Sequence, residues 1–193
     1  IASCLVGSEM CIRDRSKEQV DQSEWYQASG NESAVFLNSE REEGVKGRYI
    51  DGQVYLPVDW VDEAVNERFY WDEENSQLIY TLPDQIVYAN EETMGSSGKP
   101  LLVQQDGTVW LLSSLVSAYT NVRIETFDTD GVHRIFVDTT WESQQLAKVK
   151  KNTALRIRGG VKSALITEVP SGAEVTVLEQ LENWSRVRTE DGQ

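Results

Sequence analysis

The chain of 193 residues has one histidine, two cysteines and four prolines, and its 18 Lys and Arg are outnumbered by 32 Asp and Glu. One histidine and two cysteines are too few for an ordinary His/Cys metal site. The shortage of basic side chains argues against nucleic-acid binding, because phosphate affinity comes from clustered Lys and Arg. No apolar run approaches the roughly 18–20 residues that span a bilayer. A hydrophobic content of 39% and six Trp instead indicate folded, globular material.

Both cysteines, Cys4 and Cys11, lie in the first fifteen residues, which are unlike the rest of the chain. The run from Leu5 to Arg15, LVGSEMCIRDR, resembles the translated adapter sequence found at the ends of assembled metagenomic reads. We therefore expect residues 1–15 to be a non-native, adapter-derived segment and exclude them from fold reasoning. No inference about the redox compartment then follows from the two cysteines.

The charge is unevenly distributed along the chain. Residues 16–145 hold 24 acidic and 8 basic side chains, whereas residues 146–193 hold 6 acidic and 8 basic ones. Such a change of sign predicts a domain boundary near residue 145. Residues 16–33 are polar and predict a linker or a loose helix, with regular structure beginning near Ala34.

Two stretches of the acidic part resemble each other, one beginning at Asp51 and one at Asp106. The offset predicts two copies, in residues 34–83 and 84–140, that form one compact pseudo-symmetric unit. Paired positions are Asp51/Asp106, Gly52/Gly107, Val54/Val109, Tyr55/Trp110, Leu56/Leu111, Val61/Val116, Asn66/Asn121, Arg68/Arg123 and Ile79/Ile135.

Each copy has the pattern of two strands, a short helix and two more strands. An Asp-Gly pair flanked by alternating apolar residues predicts a tight hairpin turn. Asp59 is expected to cap the first helix, and Ser113 or Ser114 the second. The expected inward faces are Trp60, Val61 and Ala64 in the first helix and Leu115, Val116 and Tyr119 in the second. The expected closing hairpins are Arg68–Trp71 with Gln77–Thr81, and Arg123–Phe127 with Arg134–Asp138. The predicted fold class is therefore α+β and mainly β.

The first copy carries a recognisable motif, with Asp51-Gly52, Val54, Leu56-Pro57 and Trp71 in order. It resembles the stalk repeat called the copper amine oxidase N-terminal-like domain. The second copy is a divergent match, because Leu112 replaces the proline and Phe127 stands near the hairpin tryptophan position. The resemblance implies a non-catalytic appendage that holds no copper.

The basic part, residues 147–193, alternates short strands with turns, as in a small β-barrel. Its segments ALRIR, SGAEVTVL and NWSRVR resemble, in order and spacing, the elements of a bacterial SH3-like domain. The expected strands are Leu155–Arg158, Leu165–Val169, Glu174–Leu181 and Trp184–Arg188. That family's pattern continues with one more strand, so the resemblance implies a truncated barrel with an unpaired edge.

The order of linker, two-copy stalk and SH3-like part resembles the N-terminal half of membrane-anchored bacterial glycoside hydrolase family 18 proteins. The resemblance implies a non-catalytic spacer and a cell-wall-facing binding module on the extracellular side of the bacterial envelope. It also implies an upstream membrane anchor, a downstream catalytic barrel and a glycan or peptidoglycan-peptide partner. No cofactor and no enzyme activity are expected within these residues. The alternative is a free-standing envelope module that binds a protein partner through its acidic surface.

Several groups that could carry chemistry are better explained as structure. The D-x-x-D-x-D-x-E motif of family 18 catalysis does not occur among the paired carboxylates. They are better explained as solvated turns and helix starts. These clusters are Asp59/Asp62/Glu63, Asp72/Glu73/Glu74 and Glu91/Glu92. The segment from Asp128 to Gly131 resembles a calcium loop but has Val132 and Thr139 at two ligand positions, which favours a hairpin turn. His133, the sole histidine, is expected to have a structural role.

The aromatic side chains Tyr55, Trp60, Tyr70, Trp71, Tyr80, Trp110 and Trp184 could stack on sugar rings. At strand and helix positions, such residues more often belong to the core. Trp184 with Arg156 and Arg158 is the candidate ligand-facing patch.

Overall fold

The computed structural model describes residues 15–193, so the adapter-like segment and both cysteines lie outside the described residues, apart from Arg15. The described chain is mainly β with a few short helices, which confirms the coarse fold class. It divides into a larger compact unit of residues 26–143 and a smaller one of residues 15–25 and 144–193. No helix between residues 15 and 193 is long and apolar enough to cross a membrane.

The segment predicted as a linker or a loose helix contains a short helix. Gln19 forms a parallel bridge with Leu165, and a short helix, α1 (Gln22–Tyr26), follows. The carboxylate of Asp21 accepts hydrogen bonds from Ser23 and Glu24 at the start of this helix. These bonds, led by the Ser23 side chain, lower the pKa of Asp21. Regular structure therefore begins well before Ala34.

The larger unit consists mostly of strands, with two short α-helices between them. Its elements are β1 (Glu32–Leu37), β2 (Glu40–Ile50), β3 (Gln53–Pro57), α2 (Val58–Trp60), β4 (Phe69–Asp72), β5 (Gln77–Thr81), β6 (Ile86–Ala89), β7 (Leu102–Gln105), β8 (Thr108–Leu112), α3 (Ser113–Tyr119), β9 (Arg123–Thr129) and β10 (Val132–Asp138). Seven strands form one sheet in the order β7-β8-β3-β2-β1-β10-β9, and β4-β5-β6 form a second sheet.

The predicted Asp-Gly turns are present at 51–52 and 106–107, and a third lies at 130–131. In all three, φ is 49–53° at the Asp and 77–81° at the Gly. Two successive residues with positive φ make the turn whose twist matches the flanking strands, and Asp and Gly tolerate that conformation. The turn at 130–131 joins β9 to β10, so the prediction of a hairpin over a calcium loop is confirmed.

The two copies meet where β3 pairs with β8. Leu56 lies opposite Leu111 in the antiparallel register, and its neighbours Tyr55 and Pro57 lie opposite Leu112 and Trp110. Leu56 and Leu111 are equivalent positions of the repeat, and antiparallel pairing of a segment with its own equivalent is a local two-fold arrangement. Both leucines are fully buried.

The closing hairpins form as predicted, but the two copies place them differently. Strand β5 pairs with β4 on one side and with β6 on the other, in a sheet separate from the main one. Strands β9 and β10 remain in the main sheet, because β10 pairs in parallel with β1. The parallel partner β1 (Glu32–Leu37) lies before Asp51, where the resembling stretch of the first copy begins, so the repeat pattern contains no signal for this pairing.

The helices differ from the sequence prediction in their starts and faces. They begin immediately after the strands, with Pro57 and Leu112 at the N-cap positions and no side-chain cap, so the caps predicted at Asp59, Ser113 and Ser114 are wrong. The first helix continues as a wider π-helical turn over Val61–Val65. Val58 and Val61 are buried there, as are Leu115 and Val116 in α3. Ala64 is exposed because it lies on the wider π-helical turn, which shifts the buried face. Tyr119 is the last residue of α3 and is 40% exposed.

The smaller unit contains two small sheets, and no closed barrel is present among its described residues. Its strands are β11 (Gln145–Lys148), β12 (Thr153–Arg156), β13 (Leu165–Val169), β14 (Glu174–Gln180) and β15 (Ser185–Thr189). One sheet has the order β11-β14-β15 and the other pairs β12 with β13. The strand predicted at Leu155–Arg158 lies two residues earlier, as β12. The strand predicted to begin at Trp184 begins at Ser185, as β15. Strand β11 was not predicted. The predicted barrel is not closed, because neither β12 nor β13 pairs with the three-stranded sheet.

Candidate functional site

The predicted patch of Trp184, Arg156 and Arg158 is only partly assembled. Arg156 Nη1 donates hydrogen bonds to the backbone carbonyl oxygens of Ser16, at 3.1 Å, and of Ser163. Arg156 therefore ties backbone segments of the smaller unit together. Arg158 is exposed on the chain that leaves β12.

The Trp184 indole packs beside that chain. A Cβ added at Gly159 would lie 3.0 Å from Trp184 Cγ, so the absence of a side chain at Gly159 lets the ring approach the backbone next to Arg158. Trp184 is 38% exposed. Trp184 therefore lies beside Gly159, the residue after Arg158. Arg156 is used instead in hydrogen bonds to backbone carbonyl oxygens.

Most of the aromatic residues predicted for the core are buried or half-buried, which supports that interpretation. Tyr55, Tyr80 and Trp110 are buried, and Trp60 and Trp71 are half-buried and pack on the same core cluster. The Tyr55 hydroxyl donates a hydrogen bond to the carbonyl oxygen of Pro100 at 3.0 Å, and burial raises the pKa of Tyr55.

Tyr70 and Trp184 are the exceptions, and Tyr70 belongs to an exposed apolar row. In the sheet β4-β5-β6, Tyr70 is paired with Ile79, and Ile79 is paired with Tyr88. Register partners project from the same face of a sheet, so the three side chains form one row, called here the tyrosine face. Tyr70 is 57% exposed and Tyr88 59% exposed. Two strand spacings separate the tyrosines, a distance of about 10 Å.

Polar side chains flank the tyrosine face in the next row. Asp72 is the register partner of Gln77. Its carboxylate accepts hydrogen bonds from the Asn75 side chain at 2.8 Å and the Asn75 backbone at 3.2 Å, and one from Gln77 at 3.4 Å. These bonds, led by that from the Asn75 side chain, lower the pKa of Asp72. The row beside the tyrosines therefore holds an ionised carboxylate and an amide in defined positions.

Sequence reasoning missed half of this surface, because strand β6 was not assigned. The signal was present: residues 86–89, Ile-Val-Tyr-Ala, lie between the polar runs Asp84-Gln85 and Asn90-Glu91. With Val87 and Ala89 directed toward the core, the alternation of a half-buried strand places Tyr88 on the outside.

His133 lies in β10 and is half-buried. Its Nδ1 is 2.9 Å from Asp128 Oδ2, and its ring stacks on that of Tyr49 with centroids 4.5 Å apart. The Asp128 carboxylate also accepts a hydrogen bond from the backbone N–H of Gly131 in the β9–β10 turn. The histidine is thus fixed on two sides within the larger unit.

The carboxylate cluster on the first helix is a source of repulsion. Burial raises the pKa of Asp62, and the nearby charges of Glu67, Glu63 and Asp59 raise it further. Within residues 15–193, no three His, Cys, Asp or Glu side chains are grouped to hold a metal ion.

Replacing Asp62 by asparagine should therefore stabilise the fold. A carboxyl whose pKa is raised by folding destabilises the folded state when it is ionised, and this penalty disappears as the pH falls through the titration range of aspartate, near about pH 4. We expect Asp62→Asn to raise Tm at pH 7 by about 1–2 °C, as for a change of roughly 0.5 kcal/mol. Thermal unfolding at pH 7 and pH 3 checks this, and an equal shift at both values would contradict it.

A scan against models of protein families, a search of curated proteins and a search of solved structures each returned no match for this chain.

Proposed function

We propose that the chain is a non-catalytic spacer and cell-wall-facing binding module of a bacterial envelope glycoside hydrolase. Its ligand is peptidoglycan or a chitin-type amino-sugar polymer. The observation that carries the proposal is the tyrosine face, on which Tyr70 and Tyr88 are both more than half exposed in one register row. Exposed large apolar side chains in a continuous patch mark binding surfaces in soluble domains.

The chemistry of the tyrosine face suits a sugar chain. The face of an aromatic ring carries partial negative charge, so it attracts the weakly positive C–H hydrogens on the flat side of a pyranose ring. Two rings about 10 Å apart on a sheet can contact two sugars of one extended chain. Asp72 and Gln77 lie in the adjoining row, where a carboxylate and an amide can hydrogen-bond to sugar hydroxyl groups.

The charge of the chain favours contact with the neutral sugar backbone of such a polymer rather than with its anionic groups. Its formal net charge is −14, and clustered charge of one sign repels ligands of the same sign. The alternative, a module that binds a protein partner, is favoured by the same acidic surface, which would attract a basic partner. The two functions differ in whether an isolated glycan polymer is sufficient for binding.

Co-sedimentation of the chain with insoluble peptidoglycan and with chitin tests the proposal. We expect retention of the wild-type chain, and retention reduced about tenfold or more by Tyr70→Ala, since stacking contributes about 1–3 kcal/mol per aromatic ring. Met94→Ala is a matched control, because Met94 is as exposed as Tyr88 and lies outside the tyrosine face. Trp184→Ala tests the predicted patch of the smaller unit.

No retention of the folded wild-type chain on either polymer would contradict the proposal and favour the protein-binding alternative. Loss of retention in Trp184→Ala but not in Tyr70→Ala would move the binding site from the tyrosine face to the smaller unit.

A further inference from the structure

A row of three polar residues crosses β9, β10 and β1 of the main sheet in the larger unit and ends at a glycine on β2. Asp128 is the register partner of His133, His133 of Ser33, and Ser33 of Gly47. Partners in register project from one face. Farther across the same sheet, the paired residues Leu56 on β3 and Leu111 on β8 are apolar. The polar residues of the row therefore lie only on the side of the sheet that ends at β9.

A cavity of about 170 Å³ lies at this polar side. Its walls include the buried apolar side chains of Val54 and Ile135 and the ring of Tyr49, which is stacked on His133. A site of this size holds a group of a few heavy atoms rather than a whole saccharide or peptide.

The cavity contains a hydroxyl whose hydrogen-bonding capacity is unused. Ser33 is fully buried, and its Oγ has no hydrogen-bond partner among residues 15–193. Leaving a buried hydroxyl unpaired costs about 1–3 kcal/mol. Because Ser33 Oγ has almost no accessible surface, the side chain must rotate toward the cavity to reach a ligand, and an acceptor atom there would then remove that cost.

The Asp128 carboxylate fixes the hydrogen-bonding role of His133. Asp128 Oδ2 accepts the proton on Nδ1 at 2.9 Å, so the neutral imidazole has Nε2 as its acceptor. Asp128 Oδ1 is engaged by the N–H of Gly131 at 3.3 Å. Each Asp128 oxygen thus already accepts one hydrogen bond, and His133 Nε2 offers a further acceptor to a ligand.

The charges around the cavity disfavour a charged ligand. An anion would be repelled by Asp128, and the other charged lining residue, Arg134, places its guanidinium over the Tyr26 ring, 4.9 Å from the centroid, and donates to Thr129. A cation would lose its hydration against apolar walls without a carboxylate oxygen that is not already bonded. A neutral group with one donor, one acceptor and a small apolar part fits best.

We propose that this cavity binds a secondary acetamide group, CH3–CO–NH. The carbonyl oxygen accepts from the Ser33 hydroxyl, the N–H donates to His133 Nε2, and the methyl group contacts Val54 and Ile135. Acetamide groups occur in N-acetylated sugars and in acetylated peptides. Only the choice of the sugar rests on the proposed function, and the site is separate from the tyrosine face.

The sole histidine of the chain makes a direct test possible, because its ring resonances are unambiguous in an NMR spectrum. The chain is titrated with N-acetylglucosamine, with N-acetylalanine methylamide and with glucosamine, on the alkaline side of the histidine titration range. We expect saturable shifts of the His133 ring nitrogens with at least one N-acetylated probe and none with glucosamine. A response to the sugar alone or to the peptide alone identifies the source of the acetamide.

Ser33→Ala should weaken the binding about tenfold, the effect of losing one good hydrogen bond, while Ser114→Ala, on the exposed side of α3, should not change it. If Ser33→Ala does not fold, Thr126→Val at the cavity wall gives a second variant, which should alter the affinity for the same probe. The absence of any saturable shift, or equal shifts with glucosamine, would overturn the proposal and leave a water-filled cavity. The Tyr70→Ala variant should keep the His133 shifts, so failure here is distinguishable from failure of polymer binding.

Discussion

Leu56→Ala and Leu111→Ala should each destabilise the protein by about 3–4 kcal/mol, which is within the range for a fully buried leucine whose removal leaves a cavity. Both side chains are fully buried in the main core cluster. They are equivalent positions of the repeat and lie opposite each other where β3 meets β8. Their losses should therefore be similar in size.

Urea unfolding of the two single variants and the double variant measures these effects. Because the two side chains are neighbours, the double loss should differ from the sum of the single losses by at least about 0.5 kcal/mol. Leu181→Ala is the control, since Leu181 is 52% exposed, and it should cost little. Strict additivity, or a loss below about 1 kcal/mol for either leucine, would contradict the pairing of the two copies.

Gly47→Ala should be nearly as damaging, at about 2–3 kcal/mol, because it overpacks the sheet. A Cβ at this position would overlap the Cδ1 atom of Ile135 and would lie 3.2 Å from the carbonyl oxygen of Tyr55. The neighbouring side chain can move, but the backbone oxygen cannot do so without disturbing the pairing of β2 with β3.

The second substitution Ile135→Val tests this explanation, since valine lacks the Cδ1 atom. We expect the double variant Gly47→Ala with Ile135→Val to lose at least about 1 kcal/mol less unfolding free energy than the sum of the losses in the two single variants. Additive losses would show that the methyl of Ile135 is not the obstacle.

Local patterns in the sequence predicted much of the larger unit. The Asp-Gly turns and the strands around Val54 and Val109 follow from turn chemistry and alternation, and the repeat offset identified Leu56 and Leu111 as equivalent. The helix starts were mispredicted because Asp59 and Ser113 suggested caps, whereas the strands lead straight into the helices after Pro57 and Leu112. Capping preferences are weak when tertiary packing already fixes the helix.

Non-local pairings were beyond the reach of the sequence. The parallel pairing of β1 with β10 joins segments about a hundred residues apart, for which neither turn nor periodicity gives a signal. The tyrosine face is different, because its three strands are consecutive and pair locally; it was missed because strand β6 was not assigned. The cavity beside His133 depends on one such non-local pairing, because the β9–β10 hairpin places Asp128 beside His133 locally but only the parallel pairing of β1 brings Ser33 to the same row.

The most direct test of the central claim is to measure how strongly variants of the tyrosine face bind to insoluble peptidoglycan. The claim is that two exposed aromatic rings, rather than their hydroxyl groups or the fold as a whole, hold the polymer. We predict that Tyr70→Phe with Tyr88→Phe retains most of the binding, and that Tyr70→Ala with Tyr88→Ala lowers it by a factor of about a hundred or more while unfolding stays cooperative. Equal binding by the phenylalanine and alanine variants would contradict the claim.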